Sequence, residues 1–171
     1  MNKIGEKGFL YIAFGESFTK EALMSIKSLK RYNSEPVALF TDRDQTEEYE
    51  GLVDVYAKIS PNHIRAKVDF VNQTPFQKTV YLDSDTLIVR NISDMFDVLD
   101  RFDVALTNDY ARKRLQYTNM IPEYADIPYS FSEVNGGIMA YNNSFATHTF
   151  LSMWKEYFYK YFKLRASWAV L

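Results

Sequence analysis

The N-terminal part of the chain alternates between two apolar runs and one amphipathic stretch, and this order constrains the fold more than any other feature of the sequence. Residues 8–14 form a continuous apolar run, which is typical of a strand buried on both faces. Residues 18–32 carry apolar side chains at helical spacing, with Ser17 and Thr19 as candidate N-caps. A second apolar run covers residues 37–41. Strand, helix and strand in this order predict a βαβ unit with a parallel sheet.

The rest of the chain continues this pattern of short strands and helices. Further strands are predicted at residues 53–58, 78–82, 103–107 and 138–141. Further helices are predicted at residues 64–71, 92–99 and 144–162. Residues 108–133 lack a clear pattern, which predicts a long surface loop with a functional or mobile character. Because the sequence contains no repeat or linker, we expect residues 1–171 to form a single α/β domain with a mainly parallel sheet flanked by helices.

The composition excludes several classes of function. The 20 basic and 22 acidic residues leave a net charge of -2, which offers no general attraction for nucleic acid. The absence of cysteine, with only His63 and His148 as histidines, excludes disulfide scaffolds, thiol catalysis and histidine-rich metal sites. No apolar run approaches the roughly 18 residues of a membrane-spanning helix. We therefore expect a cytoplasmic protein in which carboxylates are the candidate metal ligands.

The most informative candidate site is Asp83-Ser84-Asp85, which follows the apolar strand predicted at residues 78–82. Ligands of open α/β sheets collect at the carboxyl ends of the strands. Two carboxylates at this spacing can hold a divalent cation through oxygen ligands, directly or through water. The alternative is an acidic turn that only ends a strand, because Asp-x-Asp is a common motif.

Two further segments support a ligand site. Lys67 lies on a predicted helix before Asp83, with Arg65 near it, and either cation can neutralise a phosphate or be a solvated helix residue. Asn135-Gly136-Gly137 precedes another apolar strand. Glycine there lets a ligand or another backbone approach closely, although a tight turn or a β-bulge would favour the same residue.

The order of the segments carries a family resemblance over roughly residues 8–145. The segments are Tyr11-Ile-Ala-Phe14 with Phe18, Lys20-Glu-Ala-Leu23, Lys67, Tyr81-Leu-Asp-Ser-Asp-Thr-Leu87 with Asn91, Ile92 and Phe96, and Asn135-Gly136-Gly137. Together they resemble glycogenin and its relatives in glycosyltransferase family 8. The most specific part of the resemblance is residues 80–96.

The resemblance implies a GT-A fold, a UDP-sugar donor, an unknown carbohydrate or protein acceptor, and transfer with retention of the anomeric configuration. It also implies a manganese or magnesium ion on the diphosphate, held by the two aspartates. The residues that it places around the nucleotide-sugar are Ala13, Phe14, Phe18, Lys67, Asp83, Ser84, Asp85, Asn135, Gly136 and Gly137. Asn135 is a candidate catalytic residue through the resemblance, and Asp109 is a second one because it follows the fifth predicted strand.

The sequence departs from the family pattern after the Asn-x-Gly segment. Family members carry a later Asp-Gln motif and a His-x-x-Gly-x-x-Lys segment whose histidine completes the metal site, and the sequence ends at Leu171 without either. His148 lies on a predicted helix in the wrong place to substitute for that histidine. The expectation is therefore a GT-A domain that is shortened at its C-terminus.

Other classes of function fit parts of the sequence. A haloacid-dehalogenase-type phosphatase also uses Asp-x-Asp after a strand, but the motif then comes near the start of the domain and a later paired-Asp motif follows. A nucleotidyltransferase would need a glycine-rich phosphate loop near the first strand, where Gly15 stands alone. The main alternative is a non-catalytic module that binds a nucleotide-sugar or a protein partner.

The last predicted helix suggests a contact surface for such a module. It is basic, and five of its aromatic residues are predicted to share one face: Phe150, Trp154, Tyr157, Phe158 and Tyr161. An aromatic face at helical spacing most often packs into the core. If it is exposed instead, it predicts a homo-oligomer or a membrane-surface contact.

Overall fold

The fold is built on one sheet, and a computed structural model describes residues 5–63, 65, 67–110 and 122–166 of the chain. The strands are β1 (Gly5–Ala13), β2 (Val37–Thr41), β3 (Val55–Lys58), β4 (Phe76–Leu82), β5 (Val104–Asn108) and β6 (Val134–Asn142). Their order across the sheet is β3-β2-β1-β4-β6-β5. The pairs among β1 to β4 are parallel, while β6 runs antiparallel to both β4 and β5. The predicted α/β class with a mainly parallel sheet is therefore confirmed.

Three α-helices accompany the sheet in the described part of the chain: α1 (Glu16–Lys30), α2 (Lys67–Phe70) and α3 (Phe145–Ala166). Helix α1 begins earlier than the pattern predicts, with Gly15 at its N-cap in the left-handed region (φ 85°). Ser17 and Thr19 are therefore inside the helix, and the prediction of either as its N-cap is wrong. The Thr19 hydroxyl instead lies 2.8 Å from the Thr41 hydroxyl and joins α1 to β2.

Two predicted α-helices have a different form in the structure. The α-helix predicted at residues 64–71 is a single turn, α2, followed by the 3-10 turn Val71–Gln73. The one predicted at residues 92–99 is the 3-10 helix Ser93–Asp100. The predicted surface loop is shorter than residues 108–133 because Asn108 belongs to β5, and Pro122–Tyr124 forms a short 3-10 turn. Residues 111–121 of that loop lie outside the described residues.

The sheet is buried on both faces by two hydrophobic clusters. Phe9 and Tyr11 of β1 belong to the cluster that includes α1, while Leu10 belongs to the cluster that includes Leu151 of α3. Alternate residues of one strand therefore meet different clusters, and both clusters require apolar side chains. This arrangement explains the continuous apolar run at residues 8–14.

The aromatic residues of α3 do not form one buried face. Leu151 and Phe158 are buried, whereas Phe150 and Tyr157 are 41% and 48% exposed. The predicted aromatic face therefore packs into the core only at one side, because the core side of the helix runs through Leu151, Trp154 and Phe158. The predicted homo-oligomer or membrane-surface contact through this helix stays a prediction. No helix in the described ranges is long and apolar enough to cross a membrane.

Candidate functional site

The carboxyl ends of the parallel strands meet at one edge of the sheet, which is here called the site edge. The strand order changes direction between β1, which leads to β2 and β3 on one side, and β4, which lies on the other side. Crevices at such a switch point are where open α/β sheets bind ligands. Strand β1 ends at Ala13 and β4 ends at Leu82, so Phe14 and Asp83 both emerge at this point.

Asp83 is held firmly at the site edge by backbone and side-chain hydrogen bonds. Its backbone N–H donates to the Gly137 carbonyl oxygen (2.8 Å), which extends the pairing of β4 with β6. The Tyr81 hydroxyl donates to Asp83 Oδ1 (2.5 Å). The Thr86 hydroxyl donates to the Asp83 carbonyl oxygen (2.9 Å) and stabilises the turn after β4. The carboxylate therefore has a defined position before any ligand binds.

Lys67 brings a positive charge to this carboxylate. Its ammonium donates to Asp83 Oδ1 (2.9 Å), to Asp83 Oδ2 (3.0 Å) and to the Gly136 carbonyl oxygen (3.0 Å). All three ammonium donors can be satisfied in this way. The same nitrogen lies 5.5 Å from the centre of the Tyr81 ring, within the range of a cation–π contact. The ion pair between Lys67 and Asp83 therefore brings two predicted site residues together. Arg65, two positions before Lys67, is exposed.

Tyr81 is a site residue that the sequence analysis missed. It is buried, and burial together with the charges of Asp83 and Asp85 raises the pKa of its hydroxyl well above the usual value. The hydroxyl therefore stays protonated near neutral pH and remains a hydrogen-bond donor to Asp83. The available signal was the period of a strand, because residues 81 and 83 point to the same side.

Gly136 and Gly137 lie in a bulge of β6. Leu106 of β5 pairs with Met139, but the next β5 residue, Thr107, pairs with Asn135, so residues 136–138 bulge away from β5. The side chain of Asn135 folds back, and its Oδ1 accepts a hydrogen bond from the Gly137 N–H (2.7 Å).

Position 137 requires glycine because neighbouring side chains leave little room for a Cβ, and not because of its backbone conformation. A Cβ on Gly137 would lie 2.8 Å from Asn135 Oδ1 and 3.3 Å from Asp83 Oδ2. The backbone of Gly137 has no positive φ. A Cβ on Gly136 would meet only Lys67 Nζ, at 3.7 Å, which is an ordinary contact distance. The Asn-Gly-Gly segment therefore forms a β-bulge, with the side chains of Asp83 and Asn135 beside Gly137, and the approach of a ligand stays a prediction.

The donor atoms at this point of the site edge suit a divalent cation with oxygen ligands. Among the described residues, Asp83 Oδ2 accepts a hydrogen bond only from Lys67, and it borders the space beside Gly137. Asp85 is exposed, and no hydrogen bond or ion pair joins its side chain to a described residue. In the same ranges, no three His, Asp or Glu side chains gather as a complete ligand set. A cation here would use the two carboxylates and complete its shell with water or phosphate oxygens.

The remaining predicted residues lie elsewhere along the site edge. Ala13 is buried, Phe14 is half-buried, and Phe18 on the first turn of α1 is 42% exposed. The Ser84 hydroxyl lies 3.5 Å from Glu21 Oε2 of α1, at the outer limit of a hydrogen bond. Asp109 follows β5, where its N–H donates to the Glu133 carbonyl oxygen (2.8 Å), and β6 lies between it and β4.

His148 lies at the opposite edge of the sheet. Its Nε2 is 2.6 Å from Asn143 Oδ1, and the Asn143 N–H donates to the carbonyl oxygen of Gln77, near the start of β4. The structure therefore agrees that His148 is in the wrong place to complete a metal site with Asp83.

Solved structures with similar architecture include glycosyltransferases. The galactosyltransferase LgtC, in complex with donor and acceptor sugar analogues, matches with a TM-score of 0.66 and 13% identity over 91% of this chain and 65% of that chain. The mannosyltransferase Ktr4p from S. cerevisiae matches with a TM-score of 0.54 and 13% identity over 94% of this chain and 62% of that chain. The fold is that of the GT-A glycosyltransferases.

These similarities concern the fold. The chain spans about two thirds of the length of the LgtC chain in complex with sugar analogues, and 62% of the chain of an LgtC active-site mutant, which matches with a TM-score of 0.57. No protein-family model and no curated protein match the sequence. The predicted GT-A fold is confirmed.

Proposed function

We propose that this chain belongs functionally with the family 8 glycosyltransferases and transfers a sugar, with retention, from a UDP-sugar to a carbohydrate or protein acceptor. The observation that carries the proposal is the position of Asp83 at the switch point of a GT-A sheet, where Tyr81, Lys67 and Gly137 hold it. Asp85 is exposed two residues later. Each residue there has a use in binding a nucleoside diphosphate.

A manganese or magnesium ion is the proposed cofactor, held by Asp83 and Asp85. When bound, it would supply positive charge against the diphosphate that leaves during transfer. Lys67 contributes a second positive charge at the same place, since its ammonium already lies against Asp83. Together these charges favour binding of the diphosphate, and the cation would stabilise the negative charge that the diphosphate gains during transfer.

The neighbouring residues would position the donor. Phe18 exposes its ring beside the carboxyl end of β1, and an exposed aromatic face can stack on a nucleobase. Ala13 and Phe14 would form the base of that pocket. Gly137 would leave room beside Asp83 for the diphosphate or the sugar, while the Gly136 carbonyl oxygen accepts a hydrogen bond from Lys67. Asn135 and Asp109 would face the reacting sugar from the β6 and β5 side.

Calorimetric titration of UDP, with manganese and then with excess chelator, tests the donor site. We expect manganese-dependent binding that Asp83→Ala and Asp85→Ala abolish without unfolding the domain. Asp97→Ala is the matched control, because Asp97 is exposed on the 3-10 helix Ser93–Asp100, away from the site edge. Equal affinity in wild type and both site variants would refute the assignment of the metal pair.

Transfer itself needs a second assay, because a module that only binds nucleotide-sugar would pass the first one. Release of UDP from UDP-sugars, followed with and without candidate acceptors, measures turnover. Manganese-dependent release would support the enzyme. Binding of UDP without release of UDP from any UDP-sugar, with any acceptor, would instead support the non-catalytic alternative.

A further inference from the structure

Helix α2, which begins with Lys67, is too short to hold its own position. It has four residues, Lys67–Phe70. A single helical turn fixes several dihedral angles for one hydrogen bond, so it is unstable unless tertiary contacts hold it. The location of the Lys67 ammonium therefore depends on what α2 packs against.

The polar contact that holds α2 is made by Asp69 with helix α3. The Tyr159 hydroxyl donates to both carboxylate oxygens of Asp69 (3.0 Å each), and Lys155 Nζ lies 2.9 Å from Asp69 Oδ1. The Nε2 atom of His63, in the segment before α2, lies 3.0 Å from Asp69 Oδ2. The Asp69 side chain is only 12% exposed. We refer to these four residues as the Asp69 cluster.

The electrostatics of this cluster favour a charged Asp69. Burial alone would raise the pKa of Asp69, but the hydrogen bonds from Lys155 and Tyr159 outweigh it and lower the pKa. On His63, Nδ1 accepts a hydrogen bond from the Arg65 N–H (3.1 Å), which leaves Nε2 as the protonated nitrogen facing Asp69. The carboxylate thus accepts hydrogen bonds from two elements at once and ties the segment before α2 to α3.

We infer that Asp69 is a positioning residue, which holds the Lys67 ammonium against Asp83 by anchoring α2 to Lys155 and Tyr159 of α3. Lys67 and Asp69 are two positions apart on the same turn, with the buried Val68 between them. A turn anchored at Asp69 cannot shift without moving Lys67. Helix α3, which does not contribute a described contact to Asp83, thereby controls the charge at the site edge.

The consequence for catalysis rests on the proposed function. If the Lys67 ammonium helps to bind a diphosphate, then loosening the Asp69 cluster weakens donor binding more than the chemical step. We expect Tyr159→Phe and Lys155→Met to raise the KM for the UDP-sugar about tenfold, with kcat nearly unchanged. A lower kcat at unchanged KM would contradict a role in positioning Lys67.

A second experiment tests the positioning without any nucleotide. Acetylation of lysines in the folded chain, followed by mass spectrometry, reports how accessible each ammonium is. We expect Lys67 to react several-fold faster in Tyr159→Phe, Lys155→Met and Asp69→Asn than in wild type. Asp83→Asn is the positive control, because it removes the negative charge that holds the Lys67 ammonium.

Two further controls make the result specific. Asp100→Asn breaks the ion pair with Lys78 (2.5 Å) on another part of the chain, and it should leave Lys67 unchanged while Lys78 reacts faster. Lys58 pairs with Asp44 and serves as an internal reference in every variant. If Asp69→Asn makes all lysines react faster, the chain has lost its fold, and Tyr159→Phe, which keeps both charges of the ion pair, decides the question.

Unchanged Lys67 reactivity in folded Tyr159→Phe and Lys155→Met would overturn the inference. The labelling outcome is independent of sugar transfer. A chain that shows the expected labelling but binds no UDP would retain the role of Asp69 and refute the proposed function. A chain that binds UDP with manganese but shows unchanged Lys67 labelling in the variants would retain the proposed donor site and refute the role of Asp69.

Discussion

Replacing Gly137 with alanine tests whether the space beside Asp83 is functional. The new Cβ would lie 2.8 Å from Asn135 Oδ1, too close for a normal contact, so the Asn135 side chain must move. That movement breaks the 2.7 Å hydrogen bond from the Gly137 N–H. The methyl would also lie 3.3 Å from Asp83 Oδ2, on the side where that oxygen is open.

The expected loss of stability is small. One neutral hydrogen bond contributes about 1 kcal/mol, and the backbone at Gly137 has no positive φ that would add strain. For a chain of this size, about 1 kcal/mol lowers Tm by about 2–4 °C. A domain with a typical stability of about 5–15 kcal/mol stays folded after that change. Any larger effect on binding must therefore come from the site itself.

The binding effect should be larger than the stability effect. The methyl occupies the space beside Oδ2 and disfavours a cation or phosphate there, so we expect the manganese-dependent Kd for UDP to rise about tenfold, or about 1.4 kcal/mol. Gly136→Ala is the matched control, because its Cβ would meet only Lys67 Nζ at 3.7 Å. Calorimetry of both variants gives the comparison. Equal affinities for Gly137→Ala and Gly136→Ala would refute the reasoning.

Three other changes have defined outcomes. Tyr81→Phe should lower the free energy of unfolding by about 1–3 kcal/mol, because Asp83 Oδ1 loses its hydroxyl donor. Chemical denaturation measures this change, and an unchanged free energy would show that the contact contributes nothing. Because the folded-state pKa of Asp69 is lowered, its stabilisation is present above the unfolded pKa of about 4 and lost as pH falls through the lower folded value. The stability difference between wild type and Asp69→Asn should therefore shrink as pH falls below about 4, and a difference that grew would contradict this sign. Gly8→Ala should destabilise the chain by about 1–3 kcal/mol, because its Cβ would lie 2.6 Å from the buried Phe76 ring. Thermal unfolding measures this loss, and an unchanged Tm would mean that the ring moves aside without cost.

Local patterns in the sequence were sufficient to predict the order of the strands along the chain and the place of the aspartate pair. The run at residues 8–14 is apolar throughout because β1 lies between two clusters, and such a run has few other interpretations. Asp83 could be placed at the carboxyl ends of the strands because it directly follows a buried strand of a parallel sheet. Both inferences use only the strand and its immediate neighbours.

Features that depend on distant contacts could not be predicted in the same way. The α-helix predicted at residues 64–71 is the single turn Lys67–Phe70, whose contacts to α3 come from Asp69. The aromatic side chains of α3 divide between core and surface because helix rotation is set by packing on Leu151 and Phe158. Asp69 is distant from α3 in the sequence, and so are the strand residues, such as Leu10 and Tyr81, that share a hydrophobic cluster with Leu151.

The sequence by itself determined that this chain forms an α/β sheet with a carboxylate pair after its fourth strand. Local hydrophobic periodicity is enough to distinguish strands from helices and to show where each strand ends. Only the tertiary structure decided what surrounds that pair. The Lys67 ammonium meets Asp83 across 16 positions and the Gly136 carbonyl across 69. A charge acquires its chemical role from the groups within hydrogen-bond distance, and folding alone brings those groups together.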